Sequence, residues 1–112
     1  MSAQPREIQQ YITSDGKIPF DEWLNSLRDI RAKARIAQRL ERLSLGNLGD
    51  YKSIGDGLYE LRIDYGSGYR IYFGQIGLVV ILLLCGGDKS TQNRDIRKAK
   101  EYWRDFRSQN NE

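Results

Sequence analysis

Apolar and polar positions alternate from Leu58 to Phe73 on both sides of Gly66-Ser67-Gly68, the pattern of two half-buried strands joined as a hairpin. Side chains on a strand point alternately to opposite faces, so Tyr59, Leu61, Ile63 and Tyr65 share one face and Glu60, Arg62 and Asp64 the other. On the second strand Tyr69, Ile71 and Phe73 fall together, opposed by Arg70 and Tyr72. One face of the hairpin is thus core, and the other carries two arginines and a tyrosine. The run Leu78 to Cys85 is apolar throughout and bounded by glycines, which predicts a strand buried on both faces, central in its sheet and covered by helices. Gly86-Gly87-Asp88-Lys89-Ser90 reads as the segment that follows it.

Helical spacing occurs in three places. Phe20, Trp23, Leu24 and Leu27 recur behind Pro19 and predict a short helix over 19–27. From Ile30 to Leu45 no glycine or proline intervenes, and Gly46-Asn47 supplies a stop; Ile36, Leu40 and Leu43 cluster on one side, while Arg31, Arg35, Arg39 and Arg42 form a stripe on another. Thr91 to Gln109 is the last helix, with Ser90 or Thr91 as cap and Ile96, Ala99, Trp103 and Phe106 as its apolar stripe. Glu7 to Ile12 reads as a first strand ended by Ser14-Asp15-Gly16, and Tyr51-Lys52-Ser53-Ile54 as a brief edge strand. This order predicts an α+β fold: an antiparallel meander with two N-terminal helices and a C-terminal helix packed on it.

At 112 residues and 39% hydrophobic content the chain makes one domain over 1–112, with its core at about 7–106 and frayed ends before Gln4 and after Ser108. A single cysteine, Cys85, rules out an intrachain disulfide framework, fits a reducing cytosol and reads as a buried small hydrophobe. The chain has no histidine, which removes Ser-His and Cys-His dyads and the usual zinc sites, and no carboxylates stand at metal-ligand spacing with a cysteine. Neither a metal nor a cofactor is therefore expected, and the chemistry falls to Arg, Lys, Tyr, Asp and Glu. The N-terminus lacks a signal-peptide core and the longest apolar run is far below a membrane span, so a cytoplasmic protein without membrane contact is expected. The net charge of +3 matters mainly through its distribution: between Lys89 and Arg107 seven basic side chains face three acidic ones.

In a meander, Arg62 and Arg70 share the polar face of adjacent strands, Lys89 leaves the end of the next strand, and Lys52 enters from the loop before the hairpin. Four cations near one surface suit a phosphate, whose oxygens match the arginine fork. Glu60, Asp64 and Asp88 allow the other reading, a neutralised and solvated polar face. The stripe Arg31, Arg35, Arg39 and Arg42 likewise admits three readings: a solvated face, a contact for a nucleic-acid backbone, or a contact for an acidic partner. The glycine-rich stretches lack the spacing of a P-loop or dinucleotide fingerprint.

Several stretches together resemble a known family: Phe20-Asp21-Glu22-Trp23-Leu24, Ala32-Lys33-Ala34-Arg35 with Arg39, Leu45-Gly46-Asn47, Leu58-Tyr59-Glu60-Leu61-Arg62-Ile63, Gly68-Tyr69-Arg70-Ile71-Tyr72-Phe73 and Leu82-Leu83-Leu84-Cys85-Gly86-Gly87-Asp88-Lys89-Ser90. From about Glu7 to Tyr102 the chain is similar to the RelE/ParE superfamily of type II toxins, and most of all to its phage-derived, HigB-like branch. The resemblance implies a toxin that enters the ribosomal A site, touching mRNA and 16S rRNA, and cleaves mRNA without metal by attack of a ribose 2′-oxygen. It also implies a cognate helix-turn-helix antitoxin. By position, it makes Arg70 and Lys89 ligands of the phosphate or transition state and Arg62 a phosphate positioner, with Lys52 as a further contact. Tyr72, on the same face as Arg70, is a candidate for stacking on a base or taking a proton. Relatives carry a late Tyr or His that the region around Asp95 lacks, and often a His where this chain has Asp64. The proton-transfer group thus stays open among Asp64, Tyr72 and a lysine of lowered pKa. The stripe Arg31, Arg35 and Arg39 is assigned to ribosomal RNA. A ParE-like gyrase inhibitor and a non-catalytic RNA- or protein-binding module are the rival functions.

Overall fold

In the computed structural model, which describes residues 4–110, the meander forms as the alternation predicts. Strands β2 (Tyr51–Gly55), β3 (Leu58–Ile63), β4 (Tyr69–Ile76) and β5 (Val80–Asp88) pair antiparallel in sequence order. A first strand, β1 (Glu7–Gln10), adds in parallel beside β5, so the sheet is mixed, with order β1-β5-β4-β3-β2. The middle strand is therefore β4, with β5 next to it.

Two helices cover one face and one the other. Helix α1 (Pro19–Ser26) starts on its proline, whose missing N–H costs nothing in the first turn. Helix α2 (Ile30–Ser44) starts on Asp29, whose side chain accepts from the amides of Arg31 and Ala32 at 2.9 and 3.2 Å. Phe20, Ile36 and Leu43 from these helices pack on Leu61, Ile63, Ile71, Phe73, Ile81 and Leu83. On the opposite face helix α3 (Gln92–Asn110) lays Ala99 and Trp103 against Leu58, Tyr72, Leu82, Leu84 and Cys85. The fold is α+β, as expected. The fraying expected before Gln4 lies outside the described residues; at the other end the helix continues past Ser108 to Asn110.

The structure corrects the bounds of the apolar strand. Leu78 and Val79 form the β4–β5 turn and are 81% and 54% exposed, because Gly77, at φ +60°, reverses the chain and Ile76 pairs with Val80. At its other end β5 runs on through Gly86, Gly87 and Asp88. A side chain at Gly86 would overlap the Trp23 ring from α1, and one at Gly87 would overlap the Asp95 carboxylate from α3. The two glycines are strand positions at which the helical layers close on the backbone from both sides. A bulge between Tyr72 and Phe73 in the β4–β5 register turns Leu84 and Cys85 both toward α3. Cys85 is buried and its Sγ–H donates to the Asp95 carbonyl at 3.7 Å; burial pushes the thiol up to about 12, so it acts as a hydrophobe.

Candidate functional site

Cross-strand register places the two hairpin arginines opposite each other. Arg62 pairs with Arg70, and one row further along Glu60 pairs with Tyr72, all on the face that α3 covers. Two guanidiniums side by side require a counter-charge, and Glu60 supplies it. Its Oε1 accepts from Arg62 Nε and from Arg70 Nη1, each at 3.2 Å; its Oε2 accepts from the Tyr72 hydroxyl and from Gln92 Nε2, each at 2.9 Å. Glu60 is 1% exposed. Burial raises its carboxyl, but the bonds from Gln92, Tyr72 and Arg62 and the charge of Arg70 outweigh that, and the net displacement is below the ordinary glutamate value. Glu60 is thus an anion at neutral pH, and each arginine keeps further N–H donors free of it.

Those donors face a cleft of about 240 Å³ at the hairpin end of the sheet, lined by Asp50, Arg62, Asp64, Tyr69, Arg70 and Lys89 together with the Gly66-Ser67-Gly68 turn. Lys89 is exposed and its stem lies 3.4 Å from where a side chain at Gly68 would begin. It opens a 3-10 turn (Lys89–Thr91) that is fixed on both sides: Asp88 accepts from the Ser90 amide and hydroxyl at 2.8 and 2.6 Å, and the Thr91 hydroxyl donates to the Asp95 carboxylate at 2.5 Å. A second cleft of about 300 Å³ abuts the first, sharing Asp50, Arg62, Ile63 and Asp64, and its far wall is Arg35, Gln38 and Arg42 of α2. The two form one basic groove around the end of the sheet, from Lys89 to Arg42.

The remaining candidates fall outside it or are buried, Arg39 among the residues that line the second cleft. Tyr72 is 0% exposed and its hydroxyl is committed to Glu60, with burial raising its pKa further, so it can neither stack on a base nor take a proton from a bound molecule. Arg39 leaves the solvent-facing stripe. It is 9% exposed and donates to the carbonyls of Leu48, Asp50 and Arg62 at 2.8, 3.0 and 3.3 Å, clamping the 48–50 loop onto β3. Gly49, at φ +64°, permits this, since a side chain there would overlap the guanidinium. Lys52 sits opposite Glu60 in the register but is exposed and lines neither cleft, and Arg31 lines neither. Glu60 is the member of this cluster that alternation alone does not single out. The signal for it is a carboxylate on the same strand face as two arginines.

Among the described residues no three Asp, Glu or Cys side chains gather as metal ligands, and no helix is long and apolar enough to cross a membrane. Residues 22–104 match the family described as phage-derived, Gp49-like proteins. That span contains Glu60, Arg62, Arg70 and Lys89. An uncharacterised protein of Haemophilus influenzae is 55% identical over 83 residues, 74% of this chain and 84% of that protein. Because the match runs from within α1 through α2 and the meander to most of α3, the chain belongs to the phage-derived Gp49-like family, RelE-like toxins of type II toxin–antitoxin systems.

Proposed function

We propose that the chain is a ribosome-dependent mRNA endonuclease working in the HigB-like manner in the cytoplasm, neutralised by a cognate helix-turn-helix antitoxin. The observation that carries this reading is the Arg62–Arg70 pair, held by buried Glu60 with Lys89 across the same cleft. Two guanidiniums with free donors suit the two non-bridging oxygens of one phosphodiester. On this reading the ribose 2′-oxygen attacks the adjacent phosphorus and the bond to the 5′-oxygen breaks, leaving a 2′,3′-cyclic phosphate and a 5′-hydroxyl. Arg62 and Arg70 orient the phosphate and stabilise the charge that grows on it, the largest contribution a protein makes to such a step. Lys89 protonates the departing 5′-oxygen. Asp64, exposed and lining both clefts, takes the 2′-proton, a role closed to buried Tyr72. The arginines of α2 at the far end of the groove meet ribosomal RNA.

Primer extension on mRNA in a purified translation system tests this. New 5′ ends are expected with the wild type plus ribosomes, and Arg70→Ala should cut about 100-fold or more slowly, the cost of losing one transition-state donor. Growth arrest with no new RNA ends, accompanied by inhibited DNA supercoiling, would instead identify a gyrase inhibitor of the ParE kind.

A further inference from the structure

An open groove larger than either basic cleft lies away from them, along the C-terminal half of α3. A groove of about 530 Å³ runs between that helix and the β2–β3 turn, with Ile54, Leu58 and Trp103 in its lining. A second hollow of about 430 Å³ lies across the same Trp103–Arg107 ridge, lined by Ile76 and Phe106, and the neighbouring Leu78 is 81% exposed. The two share Asp56, Trp103 and Arg107 and together make one extended seat, apolar at one end and basic at the other.

The charge of α3 is segregated around its axis. At 100° per residue Lys100, Arg104 and Arg107 fall within about 60° of one another on the flank that walls the larger groove. Glu101 and Asp105 lie on the other flank, where Asp105 accepts from the Tyr11 hydroxyl. Among the described residues no carboxylate comes within 4.0 Å of Lys100 or Arg104, whereas Arg107 is anchored over the Trp103 ring at 5.7 Å. A row of unneutralised cations beside the half-buried Ile54, Ile76 and Phe106 and the exposed Leu78 fits a segment bearing carboxylates and apolar anchors together. A phosphate backbone would gain nothing from Ile54, Ile76 or Phe106. Nor could it stack bases on Trp103, which is 6% exposed with its indole N–H donated to the Asp56 carbonyl at 2.8 Å.

We propose that this seat binds an acidic, amphipathic segment of the cognate antitoxin, far from the basic cleft. Gln92, which touches Glu60, and Arg104 are separated by about 18 Å along the helix axis. The partner would then be held without filling the cleft between Arg70 and Lys89. The inference rests on the toxin reading for the partner's identity, but complex formation is measured without any RNA being cut, so it stands or falls apart from the nuclease chemistry.

The test is titration calorimetry of the purified cognate antitoxin against the wild-type toxin, Lys100→Glu/Arg104→Glu and Arg70→Ala at about 0.15 M salt. The double reversal should weaken binding at least about tenfold, and Arg70→Ala should leave it unchanged. Lys100→Ala/Arg104→Ala, which brings in no new charge, should give a smaller loss in the same direction, with thermal melts reporting that each variant is folded. Added to a translation system with antitoxin, the reversed variant should still inhibit where the wild type is silenced. Wild-type affinity in both double variants would overturn the proposal. So would a double reversal that keeps antitoxin affinity but loses binding to a fluorescent single-stranded RNA 12-mer, which would make the groove a nucleic-acid surface.

Discussion

A carboxylate at 1% exposure is tolerated only when its lone pairs are occupied, and Glu60 accepts from four side chains on β3, β4 and α3. Its pKa in the folded chain lies below the ordinary value of 4.5, the net of burial, which raises it, and of the bonds from Gln92, Tyr72 and Arg62, which lower it. A depressed folded value means that the stabilisation is complete above about pH 4.5 and is lost as the pH falls through the lower, folded value. Glu60→Gln keeps the shape but removes the charge, and should cost about 2 kcal/mol at pH 7, the scale of hydrogen bonds to charged groups. It should also flatten the loss of stability between pH 5 and pH 3. Urea titrations at those pH values check both, and an unchanged acid slope in the variant would mean that this carboxylate is not the group responsible. Alternation marks Glu60 only as polar-face. What makes that face interior is the docking of α3 more than thirty residues later, which no local pattern contains. Arg39 is the converse case: the 3.6-residue period assigns it to a solvent stripe, and a loop ten residues downstream folds over it.

The amphipathic elements were legible because each buries one face and leaves the other wet: the hairpin, α1, α2 and α3 lie within a few residues of where periodicity places them. The apolar strand was legible as a buried strand but not in its bounds, since a run without alternation carries no register of its own. Its start is set by the Gly77 reversal and its extension by pairing with β4. The glycines of the sheet record how closely the layers approach. A Cβ at Gly74 would overlap the Trp103 ring and one at Gly86 the Trp23 ring. Alanine ordinarily stabilises a strand slightly relative to glycine by restricting the unfolded chain. Here the overlap reverses the sign, so Gly74→Ala and Gly86→Ala should each cost about 1–3 kcal/mol, as overpacking does. In a domain of this size that is a fall of about 5–15 °C in Tm, measurable by calorimetry. Stabilisation in either variant would mean that the helix concerned can slide off the sheet at no cost.

The electrostatic character of the molecule depends on which cations are spent inside it. Of the four arginines in the α2 stripe, Arg39 is committed to three backbone carbonyls and Arg31 borders neither cleft, which leaves Arg35 and Arg42 to continue the groove from Arg62, Arg70 and Lys89. If that groove follows RNA on the ribosome, each arginine contacting a phosphate releases counterions, and the logarithm of affinity falls with the logarithm of salt by about 0.7–0.9 per contact. Arg35→Glu/Arg42→Glu should therefore weaken ribosome binding at low salt and reduce the salt slope by about 1.5–2, with the Tm little changed because both side chains are exposed. Arg39→Ala should do the opposite. Its loss leaves three carbonyls without their donor and frees the 48–50 loop, so the cost appears as stability, about 2–3 kcal/mol, with the slope unaltered. Measuring ribosome affinity between 50 and 300 mM salt alongside thermal melts separates the two kinds of arginine. A slope unchanged in the double reversal would confine RNA contact to the Arg62–Arg70–Lys89 end of the groove, and a slope lowered by Arg39→Ala would mean that this guanidinium leaves its carbonyls when RNA arrives.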